Sequence, residues 1–226
     1  MKFVTNGSIV GVDNLVENEF NGVFDNTTHY DRVLAGQWED RFGVILQQWY
    51  EDIPGPSTGQ NSTGGYGPNN IWYRRSVVKA IYTADEIGAG LTSGLIYGLR
   101  FNSVQEPQNQ PLPNYTVGLA STSLENNQNP GNNFTVVYGP NDENFSSNTV
   151  KEFIFETPFA WSGPNLGVAW AWGQVQPTYN RSGTVDINNS GRQFYSRSDS
   201  SGTYTVNSTA SSSQNFRPVI QLLVGP

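Results

Sequence analysis

Apolar side chains alternate with polar or small ones along most of the chain beyond residue 70. Six stretches show this period of two: residues 95–101, 115–119, 134–138, 153–155, 166–172 and 220–224. Successive side chains of a β-strand face opposite sides of a sheet, so each stretch predicts a strand with one buried and one more polar face. The pattern therefore predicts a body made mainly of strands.

Turn-forming stretches separate these predicted strands. Glycine, proline and small polar residues concentrate at residues 106–113, 125–133, 139–148 and 162–165. Short strands alternating with such turns predict an all-β fold, an antiparallel β-sandwich or jelly roll. Residues 196–213 are poor in apolar groups, and we interpret them as an exposed strand or a long hairpin.

One segment near the front has helical spacing instead. After Asp31, a candidate N-cap, its apolar residues recur every three or four positions: Leu34, Trp38, Phe42, Ile45, Leu46 and Trp49. Gly36 and Gly43 oppose a helix because glycine is costly in a helix interior. Residues 44–50 fit a strand equally well, so one short helix and a strand both remain open.

The first residues differ in pattern from the rest. Residues 1–30 have scattered apolar groups without a stable period, as in an arm that becomes ordered on another subunit. Two ordinary edge strands are the alternative. We predict an N-terminal arm or attachment segment at residues 1–43 and a β-sandwich domain at residues 44–226. Within that domain, residues 54–70 are so rich in glycine, proline, serine and asparagine that we expect a flexible loop.

Composition excludes several classes of function. Only 14% of residues are charged, against about 25% in typical globular proteins. The net charge of −7 argues against binding nucleic acid through its phosphates. With no cysteine and a single histidine, His29, the chain has no disulfide, no thiol nucleophile and no two-histidine zinc site of its own.

Two other features bear on location. No stretch approaches the roughly 18 apolar residues of a membrane span, so we expect no membrane contact. The opening residues lack the apolar run of a signal peptide, so we do not expect export by the usual route.

Candidate catalytic and metal-binding residues are few. Asp85 and Glu86 are adjacent oxygen donors that could bind Ca²⁺, but no D-x-D-x-D spacing surrounds them, and a carboxylate capping a turn is the favoured interpretation. His29 would be the base of a serine hydrolase, with Asp25 or Asp31 beside it. Because no G-x-S-x-G motif occurs near it, an ordinary polar role is favoured.

A carboxylate pair is harder to exclude from sequence. Glu152 and Glu156 lie on one face of a predicted strand, and a glycosidase needs two acids about 5–10 Å apart. No local motif marks them as such a pair, and we expect both to be exposed to solvent. We therefore assign no catalytic, metal-binding or cofactor-binding residue and expect a protein that is not an enzyme.

Aromatic residues offer the other candidate sites. Trp170 and Trp172 share a predicted face with apolar neighbours, which favours a core stripe over a platform for sugar rings. Tyr179, Tyr195 and Tyr204 fall in the polar last third of the chain. We expect them to be surface aromatics that contact a partner protein or a glycan.

The chain from residue 72 to residue 163 resembles a β-sandwich module of phage structural proteins and bacterial adhesin-like surface proteins. The similar blocks, in order, are 72–75 (WYRR), 81–87 (IYTADEI), 94–96, 99–101, 113–117 (PNYTV), 121–123, 134–138 (FTVVY), 155–163 (FETPFAWSG) and 165–166. The resemblance implies a jelly-roll-like domain for display, adhesion or assembly, with no catalytic set to carry over.

This sequence differs from the bacterial members of the module in one respect that bears on its function. Those members sit in exported chains with signal peptides and sorting domains, neither of which we find in this sequence. We therefore expect a phage virion structural protein, either a capsid decoration (cement) protein or a tail or fibre component, assembled in the host cytoplasm. Its expected partners are major capsid or tail proteins and further copies of itself, with host-surface glycans as a further candidate. A glycan-binding adhesin or carbohydrate-binding module is the alternative function.

Overall fold

The fold is known from a computed structural model. It describes residues 2–5, 8–11, 49–53, 60–61, 67–69, 72–87, 94–104, 110–146, 149–173 and 183–225. Within these ranges the protein is all-β and antiparallel, with one short helix, as the alternation predicted.

The described elements are thirteen strands and one short helix. In chain order they are β1 (Lys2–Thr5), β2 (Ser8–Gly11), β3 (Trp49–Ile53), β4 (Gln60–Asn61), β5 (Arg75–Tyr82), α1 (Ala84–Ile87), β6 (Gly94–Val104), β7 (Leu112–Thr122), β8 (Thr135–Glu143), β9 (Thr149–Trp161), β10 (Asn165–Trp172), β11 (Gly183–Ser198), β12 (Ser212–Pro218) and β13 (Ile220–Gly225).

The strands form two packed layers that share strands. The first layer has the order β8-β7-β10-β5-β11-β12, and the second has the order β3-β13-β6-β9. The start of β11 pairs with β6 in the second layer, whereas its residues 193–198 pair with β5 in the first. The consecutive strands β12 and β13 likewise pair with different layers. The sandwich prediction is confirmed, and the shared strands join its layers at a corner.

The front of the chain is described only in part. Strands β1 and β2 form a two-stranded sheet of their own. Trp49, the last residue of the candidate helix, begins strand β3, which pairs with β13. Residues 12–48 lie outside the described ranges, so the arm and the helix stay predictions.

Parts of the predicted loop at residues 54–70 are bound to the sandwich by hydrogen bonds. Strand β4 pairs with β11. The carbonyl of Pro68 accepts a 2.8 Å hydrogen bond from the Tyr115 hydroxyl, and the buried Asn69 donates one of 2.9 Å to Ser103. Residues 54–59, 62–66 and 70 are not among those described.

The main core lies between the layers. Every residue of β10 is buried, because its large side chains face this core and its small ones face the outer side of the first layer. The core residues of β10 are Leu166, Val168, Trp170 and Trp172. They pack against a row of aromatic rings from β6, β7 and β9, with Phe153 and Tyr115 stacked at 5.4 Å.

A second apolar cluster covers the outer face of the first layer. It contains Val77, Phe134, Ala169, Ala171 and Val206. Val206 belongs to residues 199–211, the connection between β11 and β12, which we call the outer clamp. The long hairpin predicted at residues 196–213 is therefore present, but its tip folds back and buries an apolar side chain instead of standing exposed.

Candidate interaction surface

Aromatic and arginine side chains gather at one end of the sandwich, where β5 begins and β11 ends. We call this group the arginine–tyrosine patch, and its members are Trp72, Tyr73, Arg74, Arg75, Tyr195, Arg197, Asp199 and Tyr204. Asp199 is exposed, and the other members are partly exposed.

Strand register explains why these residues meet. Strands β5 and β11 are antiparallel, with Ser76 opposite Arg197 and Arg75 opposite Ser198. The beginning of one strand therefore lies beside the end of the other. Because neighbouring residues of a strand point to opposite faces, Arg75 and Arg197 project from opposite faces, and the patch wraps around the end of the strand pair.

The guanidinium group of Arg197 is held by two tyrosine rings. Its central carbon lies 4.4 Å from the ring centre of Tyr73 and 5.2 Å from that of Tyr195. A planar guanidinium stacks well on aromatic faces, so the rings orient the positive charge before any partner arrives.

Arg75 is held in a comparable way on the outer face. Its guanidinium lies 4.7 Å from the ring centre of Tyr204 and donates a 2.9 Å hydrogen bond to the hydroxyl of Ser200. Gly202 leaves room for it, since a Cβ at this position would stand 2.4 Å from an Arg75 nitrogen, and its φ of +117° also favours glycine. The buried Nε of Arg75 has no partner among the described residues.

Arg74 completes the positive charge of the patch. Its backbone N–H contacts the carboxylate of Asp199 at 3.4 Å, which ties the start of β5 to the outer clamp. The patch therefore contains three arginines and one aspartate, in a chain whose net charge is −7. This arrangement suits a partner that offers carboxylates or other planar acceptors.

The patch contains several residues that the sequence singled out. Tyr195 and Tyr204, predicted as surface aromatics, are both in it, whereas Tyr179 lies outside the described ranges. Sequence reasoning missed Arg197. The available signal was its spacing of two from Tyr195, which places both side chains on one strand face.

Trp170 and Trp172 do not form a platform for sugars. Both are fully buried between the layers, so the core stripe is confirmed. Trp172 stacks on Tyr115 at 6.0 Å, and Trp170 meets Phe101 edge-on at 6.4 Å. Their indole N–H groups have no hydrogen-bond acceptor within the described part of the protein.

Glu86 caps a helix, as the favoured interpretation predicted. One oxygen accepts hydrogen bonds from the backbone N–H of Thr83 at 2.7 Å and from its hydroxyl at 3.0 Å, which forms a capping box for α1. The other oxygen pairs with the buried Arg217. Both oxygens are thus engaged, and Asp85 beside it is exposed.

The other candidate acids of the described residues lie on the surface of β9. Glu152 and Glu156 are both exposed on β9, as expected, and partial burial raises the pKa of Glu152. His29 lies outside the described ranges. Among the residues that the structure describes, no three histidine, aspartate or glutamate side chains group as metal ligands, and no helix is long and apolar enough to span a membrane.

A buried acid joins the two layers at another place. Glu143, at the end of β8, accepts a hydrogen bond from the Tyr138 hydroxyl and pairs with Lys151 of β9. Burial, reinforced by the bond to Glu143, raises the pKa of Tyr138. All three groups are committed to one another, which indicates a structural link between the layers.

Comparisons of this chain with protein-family models, with curated proteins and with solved structures found no match. The antiparallel two-layer fold is established by the structure itself. Membership of the phage and adhesin-like module stays a prediction.

Proposed function

We propose that this protein is a phage virion structural protein, a capsid decoration protein or a tail or fibre component that acts by assembly and display. The observation that carries the proposal is the arginine–tyrosine patch at the end of the two-layer sandwich. Tryptophan, tyrosine and arginine are the residue types that dominate binding energy at protein interfaces.

The placement of the resembling sequence blocks supports the same function. In chain order they fall on the start of β5, the end of β5 with α1, and then β6, β7, β8, β9 and the start of β10. These elements make up four of the six strands of the first layer and two of the four strands of the second. The resemblance therefore concerns a continuous structural unit, and the function implied by that unit is display or assembly.

The patch is suited to binding because its side chains are already ordered. Arg197 is stacked between two rings, and Arg75 is held by Tyr204 and Ser200. Side chains that are fixed before binding lose less conformational entropy when a partner docks. The strands beneath them are anchored by β10, which is buried on both faces.

The composition of purified particles tests this proposal. We expect mass spectrometry of particles from the phage that encodes this chain to find it in stoichiometric amounts. Chemical cross-linking should join the patch to a major capsid or tail protein. The Arg74→Ala variant should enter particles poorly, whereas Arg100→Ala, which removes an arginine from β6 in the other layer, should enter normally. Purified particles that lack the chain would refute the proposal.

Glycan binding is the second candidate function. The observation that favours it is the position of Tyr204, a partly exposed ring beside Arg75, whose guanidinium donates a hydrogen bond to the hydroxyl of the exposed Ser200. Sugar rings stack on aromatic faces while acids and hydroxyls bond their edges. We expect Tyr204→Ala to abolish any binding on a glycan array and Tyr97→Ala, which removes a partly exposed tyrosine from β6 away from the patch, to retain it. An array without binding would remove this candidate.

A further inference from the structure

The two ends of the first layer carry opposite charge. The patch with Arg74 lies where β5 begins, and β5 ends at Tyr82, roughly 25 Å away at the usual rise per strand residue. Beyond Tyr82, α1 exposes Asp85, and the turn after β7 exposes Glu125. We call this second region the acidic end.

The side chain of Asn165 links the two backbone segments that carry the acids of the acidic end. The side chain of Asn165 accepts a 2.9 Å hydrogen bond from the backbone N–H of Ala84 and donates one of 2.9 Å to the carbonyl of Leu124. These backbone groups directly precede Asp85 and Glu125. The acidic end is therefore a fixed feature of the fold.

Neither acid is paired with a side chain that the structure describes. Glu86 is paired with Arg217, but among the described side chains no ion pair or hydrogen bond engages the carboxylate of Asp85 or of Glu125. At the opposite end, the patch contains three arginines and one acid, Asp199. Asp142 also lies toward that end, but on β8, three strand spacings or roughly 14 Å from β5.

The charges favour one type of contact between copies. The chain has 12 basic and 19 acidic residues, and the patch holds three of the basic and one of the acidic ones, so the remainder has 9 against 18. Placing one patch against another would bring like charges together. Placing a patch against the acidic end of a second copy brings opposite charges together.

We infer that this protein associates head to tail, with the patch of one copy bound to the acidic end of the next. Arg74 and Arg197 of one copy contact Asp85 and Glu125 of the other. Such a heterologous contact leaves one free end on each side, so it builds a ring if the rotation closes and a filament if it does not. The inference extends the proposed function to the geometry of assembly. Particle composition tests that function separately, so either can fail alone.

Sedimentation velocity of the full chain tests the inference. We expect the average mass to rise with protein concentration in a buffer of about 20 mM salt and to fall to that of a monomer in about 500 mM salt, since salt screens exposed charges. Arg74→Glu should be monomeric in both buffers. Asp85→Lys combined with Glu125→Lys should also be monomeric. Arg100→Glu, which makes the same charge change on β6 away from both ends, should associate as the parent does.

Mixing the two monomeric variants separates head-to-tail contact from a symmetric dimer. Arg74→Glu keeps an intact acidic end, and the double lysine variant keeps an intact patch. The mixture should therefore form a one-to-one complex and nothing larger. Circular dichroism and melting curves like those of the parent will show that each variant is folded.

Three results would overturn the inference. The first is a parent protein that stays monomeric in low salt. The second is association that survives Arg74→Glu, which would place the contact elsewhere. The third is a mixture of the two variants that forms no complex, as expected for a symmetric contact or for a patch that binds only another protein.

Discussion

Lys79 shows how much one buried cation shapes the outer face of the first layer. It is fully buried, and its ammonium group donates hydrogen bonds to the carbonyl of Gly131 at 2.5 Å and to the side-chain oxygen of Asn132 at 2.8 Å. It also lies 5.1 Å from the ring centre of Phe134. No carboxylate pairs with it among the described residues, and burial lowers its pKa to about 8.

This lowered pKa predicts that stability rises with pH. The ordinary pKa of 10.5 applies to the unfolded chain, so folding below pH 8 must bury a charge that water would otherwise solvate. This free-energy cost of burying the charge applies in full below about pH 8. It disappears as the pH approaches 10.5, where the lysine is neutral in the folded protein and loses its proton in the unfolded chain as well. We expect the free energy of unfolding to increase between about pH 7 and pH 9.5, measured by urea titration monitored with tryptophan fluorescence.

Replacement of this lysine isolates its contribution. Lys79→Met should raise stability at neutral pH by about 1 kcal/mol and remove the rise between neutral and alkaline pH. Lys151→Met is the matched control, because it deprives the buried Glu143 of its cation and should lower stability by about 2 kcal/mol. A Lys79→Met protein that keeps the full pH dependence would show that another group titrates.

Strand β10 is the element that sequence alone predicted best. Its alternation of large and small side chains, from Leu166 to Trp172, indicated one buried face, and the structure confirms that face. The pattern did not reveal that its small residues are also buried. The small residues are buried because the outer clamp covers them. The clamp is distant from β10 in the sequence, so this contact produces no local pattern that could predict it.

The side chain of Asn207 holds the outer clamp against the first layer by bonding to a backbone, as a neighbouring strand would. Asn207 accepts a 2.7 Å hydrogen bond from the backbone N–H of Phe134 and donates one of 3.1 Å to its carbonyl. Farther along the clamp, Asn129 donates a 2.8 Å hydrogen bond to the carbonyl of Ala210. Both sets of hydrogen bonds come from asparagine side chains. Polar residues in and opposite the outer clamp therefore have specific structural roles, although the sequence there shows no regular pattern.

Removal of the Asn207 side chain should destabilise the outer clamp. Asn207→Ala deprives two backbone groups of Phe134 of their partners, and we expect a loss of about 2 kcal/mol, or about 6 °C in melting temperature. Calorimetry measures the change. Thr209→Ala is the control, because it removes one exposed hydrogen bond from Asn132 and should cost less than about 0.5 kcal/mol. Equal losses in both variants would contradict a special role for Asn207.

At the scale of the whole molecule, the shared strands predict cooperative unfolding. Because β11 and the consecutive β12 and β13 pair with both layers, neither layer can lose its strands without disturbing the other. We expect denaturation curves from tryptophan fluorescence and from far-ultraviolet circular dichroism to coincide. Two separate transitions would indicate layers that unfold independently.

The sequence predicted the class of the whole fold more fully than the interaction surface. Alternation and turn-rich stretches depend on local spacing, so the antiparallel sandwich could be predicted. The arginine–tyrosine patch joins residue 73 to residue 197 and residue 75 to residue 204, and only the register of β5 with β11 brings them together.

The position of the patch has a mechanical consequence. A partner that pulls on Arg75 and Arg197 along the strands applies force to the adjoining ends of β5 and β11. These strands lie inside the first layer, with β10 and β12 on either side. Such a load is shared by many interstrand hydrogen bonds at once instead of opening them one after another. A partner bound at the patch would therefore pull on strands that are held along both edges by neighbouring strands.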